Sequence, residues 1–355
     1  MKICFLAASN SIHSHKWINY FADQGHKVIW ISLVPATFNI SKNIEYYEFT
    51  DGILYSIFKL RKLIAKLNPD IVHIHYLGYY ALLGLFSGAR CIVSTAWGSD
   101  IIFKKKSFFE KQIVSRILKK SKFVTCDAYF MRDELKKFNI SEEKIHIINF
   151  GIDTKKFNKK EYRDIELLKK FNVSDQITII SLRNFETVYD IKTLIYAAKI
   201  VLNEISSARF ILVGKGSLEN ELKKLTKDLG ISNFVNFTGF IDNQLLPSLI
   251  GSSDIYVSTS LSDAGIAAST AEAMSCEIPV VISDSAENDK WINDRKNGFL
   301  FETQNHEQLA KILINLIKNQ SLRKKIGKEG RKSIVDKNDY KNEMNKMNNL
   351  YFNLL

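Results

Sequence analysis

The first 150 residues repeat one figure: a short apolar run, then an amphipathic stretch. Ile3–Ala8 is uniformly apolar and predicts a buried strand, Lys16–Gln24 predicts a helix closed by Gly25, and Lys27–Leu33 predicts a second strand. The figure continues with a helix over Leu54–Leu67, stopped by Asn68-Pro69, and a strand over Ile71–Ile74. A helix over Gly78–Ser87 and a strand over Cys91–Thr95 follow, then a helix over Ser107–Lys119 and a strand over Phe123–Cys126. Tyr129–Phe138 predicts a helix and Ile145–Ile148 a strand. Strands alternating with helices imply a parallel sheet covered on both faces.

The figure stops near Asp153, and residues 155–176 are charged and weakly periodic, as a linker is. It then restarts: strands over Ile177–Leu182, Phe210–Val213, Val235–Phe237, Ile255–Ser258 and Val280–Ser283. Helices are expected from Lys192, over Leu218–Leu229 and Asn243–Ile250, from Ser269, and through the end of the chain. The fold class is therefore α/β, with two doubly wound halves and a cleft between them. The last helix, Lys341–Leu355, carries Met344, Met347, Leu350, Tyr351 and Leu354 at helical spacing.

A chain of 355 residues suits two domains, and 46% hydrophobic with 25% charged residues describes a globular protein, not a disordered one. Cys4, Cys91, Cys126 and Cys276 form no C-x-x-C pair, which argues against a disulfide framework and a zinc site. No secretory signal or membrane span is recognisable, and a cytoplasmic location is expected. Charge changes the picture more. Residues 1–160 hold 25 Lys and Arg against 13 Asp and Glu, while residues 161–355 hold 25 of each. The excess of +12 thus lies wholly in the first half and points to an anionic partner there.

The segment Ile255–Pro279, IYVSTSLSDAGIAASTAEAMSCEIP, is the most informative chemically. A strand leads into a loop of small residues, Ser260–Ala268, and then into a helix whose first amides are free to meet a phosphate. Glu272 stands one turn into that helix, where a carboxylate can accept hydrogen bonds from ribose hydroxyls. The segment resembles the C-terminal signature of retaining, nucleotide-sugar-dependent glycosyltransferases of the GT4 type. That family has the GT-B fold, in which two Rossmann-like domains face across a cleft. The resemblance covers nearly the whole chain in chain order. It implies an acceptor-binding domain at 1–160, joined by a C-terminal helix at about 338–355 that crosses back onto it, and a nucleotide-sugar domain at 161–337.

The resemblance assigns Arg183 to the donor diphosphate; Tyr189 stands where a second cation is usual, and Lys192 is the next lysine along. Lys215 of Gly214-Lys215-Gly216 can supply that charge, and Gly216 and Phe240 lie in loops that approach the nucleotide in the family. The family spacing E-x7-E has Glu272 as its second member, but Ala264 stands in place of the first. Either Asp263 substitutes for it or the sugar is held differently, with backbone amides of Gly265, Ile266 and Ala267 meeting donor sugar or phosphates.

In the first half, SNSIHSHKWINYFADQGHKV is similar to the family's first loop and helix, without the two glycines often found there. His13 and His15 are acceptor-binding candidates or solvated loop residues. His73 and His75 are read as alternating across their strand, leaving His75, nearer its carboxyl end, as the candidate catalytic histidine; a structural role is the alternative. Trp97 of TAWGSDI replaces a histidine usual in the family; it can stack on a sugar, and Asp100 can orient an acceptor hydroxyl, or the two can be a buried tryptophan and a helix cap. The basic stretch 104–122 predicts an amphipathic helix lying on an anionic membrane, at the inner face of the cell membrane.

No D-x-D motif or ligand cluster is present, so neither metal nor cofactor is expected, and cationic side chains and helix dipoles would stabilise the leaving group. The expected activity is transfer from a nucleoside-diphosphate sugar, a UDP-sugar by preference, to a saccharide or lipid-linked saccharide of the cell envelope. A GT-B nucleotide-sugar epimerase and a basic nucleic-acid-binding protein are the alternatives; nucleic acid is not the expected partner, since no recognition motif accompanies the charge.

Overall fold

The computed structural model describes residues 1–98, 100–101, 108–159, 163–173, 176–263 and 265–355, and all but the side chain of Phe108 among these. Contacts divide the chain into Met1–Gly151 with Lys341–Leu355, and Ile152–Tyr340.

The first unit runs β1 (Lys2–Leu6), α1 (Ile12–Asp23), β2 (Lys27–Ser32), β3 (Ile44–Glu48), α2 (Ile53–Leu67), β4 (Ile71–His75), α3 (Tyr79–Phe86), β5 (Ile92–Thr95), α4 (Phe108–Lys120), β6 (Phe123–Cys126), α5 (Tyr129–Lys136) and β7 (Ile145–Ile147). Its strands form one parallel sheet in the order β3-β2-β1-β4-β5-β6-β7, so the winding reverses between β1 and β4. The central strands are largely apolar because helices cover both faces; every residue of β4 is buried, His73 and His75 included.

The second unit runs α6 (Ile165–Lys169), β8 (Thr178–Leu182), α7 (Ile191–Glu204), β9 (Arg209–Val213), α8 (Glu219–Asp228), β10 (Val235–Gly239), α9 (Leu246–Gly251), β11 (Ile255–Ser258), α10 (Ala268–Ser275), β12 (Val280–Ser283), α11 (Asn288–Trp291), β13 (Phe299–Phe301), α12 (His306–Lys318) and α13 (Gln320–Asn338). Its parallel sheet has the order β10-β9-β8-β11-β12-β13, with the reversal between β8 and β11. The last helix, α14 (Tyr340–Phe352), buries Met344, Met347 and Tyr351. In the first unit its Asn345 accepts from the Tyr20 hydroxyl at 2.6 Å and its Glu343 from the Asn149 amide at 2.9 Å.

Three features differ from the sequence reading. The boundary falls at 151/152, not 160, because Ile152 pairs with Asp339 and its amide donates to the Asn338 carbonyl at 2.8 Å. The expected linker is core in part: Phe157, Leu167, Leu168 and Val173 are buried in the same cluster as Tyr256 and Met274. β3 and β13 are edge strands absent from the reading; IEYYE carries two glutamates among its five residues and neither runs apolar nor strictly alternates, and β13 has three residues.

Loops at the carboxyl edge of the second sheet are tied backbone to backbone. The Gly214 amide donates to the Gly239 carbonyl at 3.0 Å, and that of Phe185 to the Lys215 carbonyl at 3.0 Å. A Cβ at Gly214 would lie 2.4 Å from the Arg183 carbonyl oxygen, with φ at +150°; at Gly216 it would lie 2.3 Å from that of Phe185. Gly214→Ala is therefore expected to cost about 2–3 kcal/mol of stability, since the obstacle is backbone and cannot swing aside. Urea unfolding checks it, and an unchanged midpoint would refute the close approach.

Candidate active site

Open parallel sheets form their ligand crevices at the carboxyl ends of strands where the winding reverses. In the second unit that point lies between β8 and β11, and Arg183 is the first residue beyond β8. Its Nε donates to Ser258 Oγ, at the end of β11, at 2.9 Å. Its Nη2 forms an ion pair with the Asp263 carboxylate, and the guanidinium carbon lies 5.3 Å from the Tyr189 ring centre. The side chains of Arg183 and Asp263 are 10% and 9% exposed. Burial pushes the Asp263 carboxyl above its ordinary range, against the opposing pull of Arg183 and Ser260.

Asp263 therefore stands as the counter-ion of Arg183, fixed further by Ser260 Oγ at 3.2 Å. An arriving diphosphate would exchange this carboxylate for an anion with more charge and more acceptor oxygens. The β8–α7 and β11–α10 loops are held together beside the pair: the Leu261 amide donates to the Val188 carbonyl at 2.8 Å, and Thr259 Oγ1 to that of Tyr189 at 2.9 Å.

Ala264 lies outside the described residues; beyond it Gly265 has φ of +68°, Ile266 is half-buried and Ala267 caps α10 without a side-chain bond. Helix α10 starts at Ala268, and Glu272 is half-buried one turn in, between the buried Ala271 and Ala273. In the neighbouring loops Lys215 Nζ lies 5.8 Å from the centre of the Phe240 ring, which is largely exposed. Lys192 is engaged by Glu221 at 2.6 Å. Gly216 makes loop-to-loop contact here: the Ser217 amide beside it donates to Glu186 Oε1 at 2.8 Å. Arg183, Asp263, Lys215, Gly216 and Phe240 thus sit in loops that follow β8, β9, β10 and β11 of one sheet, and Glu272 in the helix that continues one of those loops.

In the first unit the candidates separate. Helix α1 begins four residues before the expected start, with Ser11 Oγ accepting from the Ser14 amide at 3.3 Å, so His13 and His15 are helical, not loop, residues. His15 is half-buried, its ring centre 5.2 Å from each of those of Trp30 and Phe38, and its Nδ1 is bonded to Asn19 at 2.8 Å. His13 is exposed and meets Phe150 at 4.4 Å and Trp97 at 5.7 Å between ring centres. Trp97 and Phe150 stack at 4.7 Å with 22° between their planes. Phe150 escaped the sequence reading, although an aromatic shortly after a strand and before Gly151 was the available signal.

Two expectations are corrected. Asp100 is fully buried, and its carboxylate accepts from the Leu77 amide at 2.7 Å and the Trp97 amide at 2.9 Å. It ties two loops together and is not open to an acceptor hydroxyl. His73 and His75 do not face opposite sides: a strand has period two, and their rings lie 4.5 Å apart. His73 bonds Thr95 Oγ1 at 2.6 Å and the Tyr351 hydroxyl. Neither nitrogen of His75 has a partner among the described residues, and burial pushes its pKa down to about 3. A neutral imidazole enclosed by Phe5, Trp17 and Trp97 is part of the wall.

Comparison with known proteins matches this geometry. A "Glycosyl transferase 4-like" family model matches residues 2–128, and "Glycosyl transferases group 1" matches residues 164–333. The chain belongs to the GT4-type glycosyltransferases and has the GT-B fold. It is 24% identical to N-acetyl-alpha-D-glucosaminyl L-malate synthase of Bacillus anthracis, over 94% of this chain and 91% of that one. It is 25% identical to the UDP-Gal:alpha-D-GlcNAc-diphosphoundecaprenol alpha-1,3-galactosyltransferase of Escherichia coli, over 84% and 79%. Among solved structures, Anabaena Alr3699/HepE in complex with UDP superposes with a TM-score of 0.83 at 16% identity, covering 99% of each chain. The chain is a transferase enzyme, and that class takes precedence over the epimerase and nucleic-acid alternatives.

Proposed function

We propose that this enzyme is a retaining glycosyltransferase that moves a sugar from a UDP-sugar to a saccharide or lipid-linked saccharide, in the synthesis of cell-envelope polysaccharide or lipopolysaccharide. The observation that carries the donor site is Arg183 at the reversal between β8 and β11, one loop from Glu272. Arg183 meets the diphosphate, Glu272 holds the ribose, and Lys215 adds charge from the next loop. A UDP donor is supported by the UDP-sugar in the name of the Escherichia coli relative and by the UDP bound to the Anabaena structure. An envelope acceptor is supported by the diphosphoundecaprenol in the same relative's name. Trp97, Phe150 and His13 offer a ring surface suited to the apolar face of an acceptor sugar.

The acceptor hydroxyl attacks on the face that the diphosphate leaves, and the departing phosphate takes its proton. Charge that grows on the leaving group is met by Arg183, Lys215 and the first amides of α10. No metal is needed for this. Activity in excess EDTA is expected to stay within about twofold of the untreated enzyme, because cations of the chain perform the metal's electrostatic role. Loss of activity restored by magnesium or manganese would contradict it.

The enzyme would work at the inner face of the cell membrane, with its basic first half toward anionic lipid. Among the described residues no helix is long and apolar enough to cross a membrane. The test of the reading is a screen of labelled UDP-glucose, UDP-galactose, UDP-N-acetylglucosamine and GDP-mannose against lipid-linked acceptors, with the anomeric configuration read by NMR. Transfer from a UDP-sugar with an α product supports it; inversion, or transfer from GDP-mannose alone, overturns the corresponding part.

A further inference from the structure

Helix α4 was the sequence's candidate for membrane contact, but the structure gives its apolar side to the core. Ile113, Val114, Ile117 and Leu118 are all buried there, and residues 104–107 lie outside the described residues. The described part of α4 therefore brings mainly charge to a surface, with Phe109 as its exposed apolar group.

Helix α2 is different. It buries Ser56, Leu60 and Ile64, while Leu54 is 72% exposed, Tyr55 59% and Phe58 70%. A single exposed apolar residue is ordinary; three large ones within five positions of one helix form a patch. The same helix carries Lys59, Arg61, Lys62 and Lys66 and no acidic residue between Ile53 and Leu67. With 3.6 residues per turn, these cations share the outward arc with Leu54, Tyr55 and Phe58. The apolar groups occupy its amino-terminal half and the cations its carboxyl-terminal half. Lys59, Lys62 and Lys66 also rim a shallow cavity of about 210 Å³, lined otherwise by Tyr47, Phe49 and Leu63. Lys59 Nζ lies 4.7 Å from the Phe49 ring centre, and Asp51 is its acidic neighbour at 3.7 Å.

We propose that the outward face of α2 docks the enzyme on a bilayer of anionic lipid. Leu54, Tyr55 and Phe58 enter the boundary between headgroups and acyl chains. Lys59, Arg61, Lys62 and Lys66 hold the lipid phosphates, their aliphatic stems lying along the apolar surface. Charge selects this occupant: a second copy in a two-fold contact would oppose the same cations to each other. A nucleic acid would meet the cations but leave the three apolar groups in water. The inference is independent of the donor assignment, because it is read without any sugar nucleotide.

The test is flotation of the full chain with vesicles of phosphatidylglycerol and phosphatidylethanolamine in equal parts, against vesicles of phosphatidylcholine. The chain is expected to float with the first and not the second. The triple change Lys59→Gln, Lys62→Gln, Lys66→Gln should lower partitioning on the order of a hundredfold. The double change Leu54→Ser, Phe58→Ser should lower it by at least about tenfold. Both variants should keep UDP affinity and the far-ultraviolet spectrum, since the positions are exposed. Failure of the wild type to float overturns the proposal. So does binding that survives both variants and is lost with Lys111→Gln, Arg116→Gln, Lys119→Gln, which would return the role to α4. A concentration-dependent dimer in sedimentation that Phe58→Ser abolishes would assign the face to a second copy instead.

Discussion

Arg183→Ala is expected to lower kcat/KM by about a thousandfold, because in the proposed donor site it removes a preorganised cation from the place where a leaving diphosphate would gain charge. Structure and stability complicate the reading of that loss. Arg183 is the counter-ion of Asp263, and both side chains are nearly buried. Removing the arginine alone leaves a carboxylate with little water and no partner, which destabilises this unit by about 3 kcal/mol unless Asp263 takes up a proton. The paired change Arg183→Ala with Asp263→Asn separates the two effects. It should recover most of the stability, since neither charge remains buried, and recover none of the rate. If the double variant regained activity, Arg183 would be a structural ion-pair member and not a ligand of the donor.

The second large effect is a loss of stability in acid. Burial lowers the pKa of His75 from 6.5 to about 3, and that of His73 well below its ordinary value. Both rings are thus neutral in the fold, whereas the unfolded chain binds protons below pH 6.5. Between those limits the unfolded state holds more protons, so stability rises with pH; it is complete above about 6.5 and is lost progressively as the pH falls toward 3. For His75 alone the difference reaches about 5 kcal/mol, and His73 adds in the same direction. Urea unfolding of the first unit's tryptophan signal across this range measures it. His75→Phe should flatten the slope by one proton at little cost, since neither ring nitrogen gives up a partner. His73→Phe should be costly at every pH, because it strands the buried Tyr351 hydroxyl and leaves Thr95 Oγ1 only its bond to Thr125. An unchanged slope in His75→Phe would place that ring in contact with water.

Much of the fold was legible because strand and helix signals alternate cleanly: uniformly apolar strands such as Ile255–Ser258 and Val280–Ser283 fall where the sequence places them. The misses have physical causes. β3 and β13 lie at sheet edges, where half the residues face water or the strand is too short to show a period. The start of α1 depends on a Ser11 cap lying before the apolar face begins. The place of a candidate residue was legible where it follows from its strand, as with Arg183 after β8. It was not legible where tertiary pairing decides. Asp263 follows a strand far along the chain, and only the neighbouring positions of β8 and β11 bring its carboxylate to Arg183. Asp100 likewise looks like any exposed loop aspartate until the Leu77 and Trp97 amides enclose it. The pair His73 and His75 needed only the period of two, correctly applied.

The central claim is that the second unit binds a nucleoside diphosphate at the β8–β11 reversal, with Glu272 on the ribose. Calorimetric titration of UDP, GDP and ADP into the wild type and Glu272→Ala tests it most directly. The account predicts that UDP binds more tightly than the other two and that Glu272→Ala weakens it by at least about tenfold, the loss of charge-assisted bonds to the ribose. Binding of no nucleotide, or UDP binding indifferent to Glu272→Ala, would contradict it.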